Sequence, residues 1–321
     1  MVTVTMRDLS PKGTPNYLFT TITGEHIMSK VSKAYQVITD RIVDGLKKGN
    51  IPWKKTWKCG HMHPQNLVTK TKYKGINFLM TAFSDYSQPY WITYKGATSL
   101  DGEVRKGEKG TPIVYWKFFD CKECKGKGCG ECNNTGRAGW GYPLYSTVFN
   151  VEQCDGLEEH IPTPEKLPEF NPDERCDQIF GQYVEKSGVN YVEGQNGRAY
   201  YRPSADEIHM PDRQTFDNSS EYYSTLFHEM THSTGIKDRM NREGVTDTIM
   251  FGSHNYSFEE LVAEIGSCFL SSESGIESIA MAENSQAYIN GWIEKLESNP
   301  KMIVQASGLS QKAVDYILDI K

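Results

Sequence analysis

The sequence predicts an α+β chain of two domains, and three observations carry that prediction. First, the charge changes sign along the chain. Residues 1–150 carry 22 Lys and Arg against 11 Asp and Glu, a net of +11; the remainder carries 13 against 30, a net of −17, which gives −6 overall. Second, residues 158–172 hold Pro162, Pro164, Pro168 and Pro172 among acidic residues and read as a linker. Third, short aromatic segments bounded by turn residues precede that stretch, and helical periodicity dominates after it. At 321 residues the chain is long enough for each domain to bury its own core. The expected division is a flexible start at 1–25, a basic α+β domain at 26–157 with a four-cysteine insertion at 120–139, the linker at 158–172, and an acidic domain at 173–321.

Composition narrows the class. A hydrophobic content of 38% suits a soluble globular protein. No apolar run approaches the length of a membrane span, and the N-terminus lacks a basic-then-apolar signal segment, so the expected address is the cytoplasm with no membrane partner. The basic half suits a polyanion, whereas the acidic half would be repelled by one. The alternative is that the two halves neutralise each other across an interface.

In the basic half the first firm element is a helix over Ser29 to Lys48, with Val31, Ala34, Tyr35, Ile38, Ile42 and Leu46 on one stripe and Gly49 as its stop. Aromatic and basic residues then interleave. Trp53 and Trp57 sit among Lys54, Lys55 and Lys58; Tyr73 lies between Lys72 and Lys74, with Asn77 close behind; Tyr90 to Lys95 reads as a short strand containing Trp91. Arg105 and Lys106 stand in a basic turn, and Pro112 to Phe119 and Tyr145 to Val151 read as further strands. Such a surface offers π-faces to unstacked bases and cations to phosphates. The candidate contacts for single-stranded DNA are Trp53, Lys54, Lys55, Trp57, Lys72, Tyr73, Lys74, Asn77, Trp91, Lys95, Arg105 and Lys106. The competing reading is that aromatic residues in strands are core.

Cys121, Cys124, Cys129 and Cys132 form C-x2-C-x4-C-x2-C, while Cys59, Cys154, Cys176 and Cys268 are scattered. Two C-x-x-C knuckles that fold back on each other complete a tetrahedral thiolate site, and the glycines between them permit tight turns. The expectation is a structural Zn2+ on an inserted hairpin, with a redox or iron–sulfur role as the alternative. The spacing resembles half of the cysteine-rich zinc module of DnaJ-type chaperones.

In the acidic half, Glu174 to Lys186 reads as a helix, and Val189 to Met210 as two strands joined at Gly194 to Gly197. His228-Glu229-Met230-Thr231-His232 then reads H-E-x-x-H within a helical run from Glu221 to Ser233. Asp217 to Ser220 offer N-cap side chains, and Gly235 stands where a left-handed stop is wanted. Four residues apart on a helix, His228 and His232 share a face and can grip one ion, with Glu229 beside them as general base. A third ligand is expected from Ser257 to Leu270, a buried helix in which Glu260 and Glu264 share a face. One of these would ligate and the other would fix the tautomer of a ligating His. The E-x-x-A-E pattern resembles the third-ligand helix of gluzincin metallopeptidases, which implies Glu260 as ligand and Glu264 as supporting carboxylate or alternate ligand. Ser257-x-x-Glu260 also reads as a capping box. Segments Gln286 to Glu297, Lys301 to Ala306 and Ser310 to Ile320 read as short helices that close the domain.

Taken together the motifs resemble the ArdC-type antirestriction proteins of plasmids and phages. The N-terminal part is similar through Ile51-Pro52-Trp53, Tyr73-Lys74-Gly75-Ile76-Asn77, Trp91-Ile92-Thr93 and Val104 to Gly110. The C-terminal part is similar through Tyr200-Tyr201-x-Pro203-x-x-Asp206, the H-E-x-x-H run, Glu259 to Glu264 and Asn284-Ser285-x-x-Tyr288. The four-cysteine hairpin departs from that family's pattern. The resemblance implies single-stranded-DNA binding, a zincin-like metallopeptidase domain, and protection of incoming DNA from restriction, with a DNA-bound or restriction protein as the possible substrate. The expected chemistry is peptide hydrolysis by zinc-activated water, with Tyr256, ahead of His254 and Tyr223, as oxyanion donor. The alternative is a non-enzymatic protein that coats single-stranded DNA, or a replication accessory, with a structural or vestigial zinc site.

Overall fold

The computed structural model describes residues 22–51, 53, 63–82, 84, 86–162, 172–194, 197–246, 254–276 and 286–320. The chain forms two compact units, Met1–Ala34 with Trp116–Leu144, and Tyr35–Tyr115 with Tyr145–Lys321. The second unit takes in most of both expected domains. Lys54, Lys55, Trp57 and Cys59 lie outside the described residues, as does most of the expected linker.

The described chain begins with α1 (Ile22–Lys47), longer at its start than the apolar stripe predicts. A four-stranded sheet follows, in the order β1 (Gln65–Asn66), β2 (Tyr90–Ile92), β5 (Arg137–Asn150), β4 (Thr111–Asp120). β1 and β2 run parallel, and β2 and β5 antiparallel. Side chains alternate along a strand, and all three residues of β2 are buried. Tyr90 and Ile92 join a core with Leu67, Ala97, Val151, Cys154 and Leu157, while Trp91 joins Tyr73 and Val148 in another. The expected strand over Tyr90 to Lys95 stops early: Thr93 caps α3 (Tyr94–Ser99), its Oγ1 accepting from the Gly96 N–H at 3.0 Å. β3 (Glu103–Val104) pairs with β6 (Cys154–Asp155), and α2 (Ile76–Ala82) lies between β1 and β2 in the chain.

These elements pack against the C-terminal helices of the same unit. Trp53 meets Trp292 edge-on at 5.9 Å and Phe78 meets Phe269 at 5.1 Å. Gly75, at φ +55°, donates its N–H to Gln311 Oε1 at 2.9 Å. The ion pairs Lys47–Glu297 and Lys74–Asp315 join basic N-terminal to acidic C-terminal residues, so part of the charge asymmetry is neutralised internally.

After α4 (Pro172–Ser187) comes a three-stranded sheet, in the order β7 (Asn190–Glu193), β9 (Glu207–Met210), β8 (Tyr200–Arg202). The expected pair of strands joined at Gly194 to Gly197 is corrected here: β7 runs parallel to β9, and β8 pairs antiparallel with β9. The tight turn lies instead at 203–206, where Pro203 fixes one dihedral and Asp206 takes φ +49°.

Helix α5 (Ser219–Ser233) is capped by Asn218, whose Oδ1 accepts from the Glu221 N–H at 2.9 Å. Its C-cap is Thr234 in right-handed conformation, and Gly235 has no positive φ. Gly235 serves close packing instead: a Cβ there would stand 2.5 Å from Val245 and 2.9 Å from Arg242. After α6 (Glu243–Thr246), α7 (His254–Ser274) is buried nearly all round, which marks it as the central helix. Ser257 lies inside it, so the capping-box reading does not apply. Helix α7 packs between α5 and α9 (Met302–Ile317), and α8 (Gln286–Ser298) precedes α9. One continuous α9 replaces the two short terminal helices expected.

Small residues set the helix spacing. A Cβ on Gly266 would lie 2.6 Å from Thr231, Ser267 Oγ donates to the Ser224 carbonyl at 2.6 Å, and Ser310 Oγ donates to the Val262 carbonyl at 2.7 Å. No described helix is long and apolar enough to cross a membrane.

Two substitutions check this packing by urea unfolding. Gly266→Val should destabilise by about 1–3 kcal/mol through overpacking. Gly308 lies on the exposed face of α9, where an added Cβ would meet nothing within 4 Å, so Gly308→Ala should stabilise by up to about 1 kcal/mol.

Candidate functional site

Helices α5 and α7 bring His228, His232 and Glu260 together. Their ligating atoms lie within 4.8 Å of one another. His228 Nε2 is 3.0 Å from His232 Nε2, and Glu260 reaches each imidazole at 3.5 Å. Donors about 2.0–2.1 Å from a tetrahedral ion stand roughly 3.3–3.4 Å apart. The three residues therefore fit a divalent metal, and two imidazoles with one carboxylate leave room for a further ligand. Glu229 is buried beside them on α5.

A second carboxylate of α7, Glu259, meets His232 from behind. Glu259 Oε1 lies 3.3 Å from His232 Nδ1. Arg242 clamps the same carboxylate with Nη2 at 2.6 Å and Nε at 2.9 Å. Arg242 also donates to Thr234 Oγ1 and to the Thr231 carbonyl at the end of α5. Both members of this ion pair are buried, with side-chain exposures of 5% and 4%. Burial opposes ionisation of Glu259, but the hydrogen bonds from His232 and Arg242 prevail and hold it below the usual carboxylate range. Burial likewise opposes charge on His232, but the hydrogen bond to Glu259 and the nearby Glu260 and Glu229 carboxylates push its pKa up to about 9. Glu264, one turn beyond Glu260, is outside the convergent group. Sequence reasoning missed Glu259 and Arg242. The adjacent pair Glu259-Glu260 was the available signal, since neighbours on a helix diverge by about 100° and can address different partners.

Tyr223 does not face this chemistry: its hydroxyl donates to Asp177 Oδ1 at 2.6 Å, and its ring is buried under Arg213. His254 and Tyr256 stand on the first turn of α7, but their side chains are outside those described.

The four cysteines form the second group, again with ligating atoms within 4.8 Å. Cys121–Cys129 sulfurs are 3.8 Å apart, and Cys124–Cys132 and Cys129–Cys132 are each 3.7 Å apart. Sulfurs on a tetrahedral zinc, about 2.3 Å from it, stand roughly 3.8 Å apart. All four are free thiols. Backbone N–H groups point at the sulfurs: Gly128 donates to Cys124 at 3.1 Å, and Cys129 and Gly136 donate to Cys132 at 3.3 Å. Burial raises the Cys132 thiol, but those donors outweigh it and bring it below the ordinary range. Gly136, at φ +69°, permits the turn because a Cβ would meet the Gly126 carbonyl at 2.3 Å.

Three aromatic candidates for DNA contact, Trp53, Tyr73 and Trp91, are corrected. Trp53 and Trp91 are 2% and 1% exposed, and Tyr73 is buried with them in core. Asn77 is spent on the Val114 backbone, accepting at 2.6 Å and donating at 2.7 Å. Lys74 pairs with Asp315, and Arg105 with Asp155, Glu108 and the Glu152 carbonyl. Lys72, Lys95 and Lys106 remain exposed.

Comparison with known proteins adds to this geometry. Residues 32–145 match the N-terminal domain of anti-restriction factor ArdC, and residues 178–309 match a zincin-like metallopeptidase domain. The antirestriction ArdC protein from the R388 plasmid, in its metal-free structure, is 33% identical with a TM-score of 0.67 over 89% of this chain and 96% of its own. Its Mn(II)-bound structure is matched with the same TM-score at 32% identity. The DNA primase TraC of Escherichia coli is 36% identical over 91% of this chain, but the chain spans only 28% of TraC, and 20% of a second TraC. Protein y4eC of Sinorhizobium fredii is 28% identical over 88% of this chain and 91% of its own length.

The raised His232 pKa gives a pH prediction. Its charged form stabilises the metal-free protein below about 6.5, and that contribution is lost as pH rises through about 9. A metal competes with that proton, so affinity should rise with pH over the same window. Calorimetric titration of metal at pH 7.5, in buffers of different ionisation enthalpy, should show about one proton released at this centre. Binding without proton release would mean that His232 is already neutral.

Proposed function

The chain belongs to the ArdC-type antirestriction family, and on that premise we propose that it binds single-stranded DNA and hydrolyses peptide bonds at the His228–His232–Glu260 centre. The observation that carries the peptidase reading is the convergence of these three side chains from two helices, with the buried Glu229 carboxylate beside them. We assign Zn2+ to this centre and a second, structural Zn2+ to Cys121, Cys124, Cys129 and Cys132. The division into a DNA-binding part at 26–157, a linker at 158–172 and a zincin part at 173–321 belongs to the same proposal. The free cysteines among the described residues suit the cytoplasm.

The metal, when bound, supplies a Lewis acid that lowers the pKa of water toward roughly 7 and polarises a carbonyl. The protein supplies the rest. Glu229 accepts the proton of the attacking water and returns it to the leaving amine. Glu259, itself held by Arg242, keeps the His232 ring oriented with Nε2 toward the site. Strand β8 lies at the edge of its sheet and near α5, so an extended peptide can pair along it by main-chain hydrogen bonds. Tyr256 is the proposed oxyanion donor. A protein bound to the same DNA would be delivered to this centre at high effective concentration.

A second reading, a non-enzymatic protein of DNA protection or replication, draws on the likeness to a protein named as a DNA primase. Glu229→Gln separates the two. Under the peptidase reading it should lower peptide hydrolysis by about a hundredfold or more while leaving metal content unchanged, and antirestriction activity should fall with it. Full antirestriction activity in that variant would favour protection by coating.

A further inference from the structure

With Trp53, Tyr73 and Trp91 buried in the core, the bases of a single strand need rings that are exposed. Among the described residues, the exposed large hydrophobic side chains include Tyr94 and, along β4, Tyr115, Trp116 and Phe118. Within the unit that holds residues 116–144, Trp116 is 49% and Phe118 41% exposed. Two residues apart on a strand, they share a face. Phe118 lies over Gly141, where a Cβ would meet the ring at 2.9 Å, so the glycine is what lets this ring lie on the partner strand. The guanidinium of Arg137 stands 5.5 Å from the Phe118 centroid. On the other face Phe119 packs against Tyr142 at 5.3 Å, which stiffens the ribbon.

The ribbon ends in the four-cysteine knuckle. Lys122, Lys125 and Lys127 are all exposed on the loop that the sulfurs gather. Residues 116–144 carry five basic side chains against three acidic ones. Lysine is depleted at protein–protein interfaces, and the knuckle's exposed cations are three lysines. An apolar pair flanked by cations matches a strand whose bases are unstacked, because every base has a π-face and every nucleotide a phosphate. A duplex hides those faces in its own stack.

We propose that the ribbon face of Trp116, Phe118 and Arg137, together with the knuckle lysines Lys122, Lys125 and Lys127, is the contact surface for single-stranded DNA. Bases stack on Trp116 and Phe118, and phosphates lie along the lysines. Cys121, Cys124, Cys129 and Cys132, which would hold a metal, set those lysines in register with the rings. This inference rests on the single-stranded-DNA reading above and gives it a location.

The test is fluorescence anisotropy of a labelled oligothymidine with the full chain, its Trp116→Ala/Phe118→Ala variant, and its Lys122→Ala/Lys125→Ala/Lys127→Ala variant. Since both rings and all three amines are exposed, circular dichroism and metal content should match wild type. The aromatic variant should lose about tenfold or more in affinity. The lysine variant should bind more weakly, with its log–log salt dependence shallower by about 2. If wild type binds and both variants bind equally well, the ribbon is not the surface, although the DNA-binding reading stands. If wild type itself does not bind, that reading fails and the inference with it.

Discussion

The close crossing of α5 and α7 is the constraint on which the rest of the C-terminal architecture depends. Gly266 gives Thr231 the space that a Cβ would fill, and Ser267 ties α7 to the Ser224 carbonyl across the same seam. Because the helices come this near, a carboxylate on one reaches two imidazoles on the other. A wider crossing would leave His228 and His232 as two solvated rings on a helix surface. The seam is reinforced at one end by Arg242, which binds the last carbonyls of α5 and the Glu259 carboxylate of α7 together. The same contact therefore fixes helix spacing and the orientation of His232. Removing either partner would leave a buried charge unpaired, a change that typically costs about 3–5 kcal/mol.

The four-cysteine knuckle follows a different logic. Its donors lie within twelve residues of sequence, and positive-φ glycines fold the loop tightly enough to bring the sulfurs together. Such a site is assembled by local turns, not by a large core, and a metal bound there would add its binding energy to the fold. The helix-borne centre, by contrast, is assembled by packing among α5, α7 and α9.

These differences explain what was legible in the sequence. The H-E-x-x-H pair and the cysteine knuckle are local patterns whose spacing states their geometry, and both donor groups converge in the structure. Glu260 was legible as one of two carboxylates on the right helix face. Glu259 was not, because its role depends on Arg242, which meets it only after α5, α6 and α7 have packed. The burial of Trp91 was likewise hidden, since alternation says that an aromatic strand has two faces but not that both are covered; Trp53 and Tyr73 lie outside strands and carry no such pattern. The β8–β9 hairpin was missed because Gly194 to Gly197 is the louder turn signal, while the turn used is set by Pro203 and Asp206. Gly235 looked like a helix stop and is instead a seat for Arg242 and Val245.

The measurement that tests the account most directly is metal stoichiometry of the purified full chain, by elemental analysis of wild type, His232→Ala and a Cys124→Ser/Cys129→Ser variant. The two convergent donor groups predict two metal ions per chain, one lost in His232→Ala and the other lost in the cysteine variant. A single ion that survives His232→Ala and disappears with the cysteines would contradict the account. The crossing of α5 and α7 would then hold no metal, and the peptidase reading would have no centre to act from.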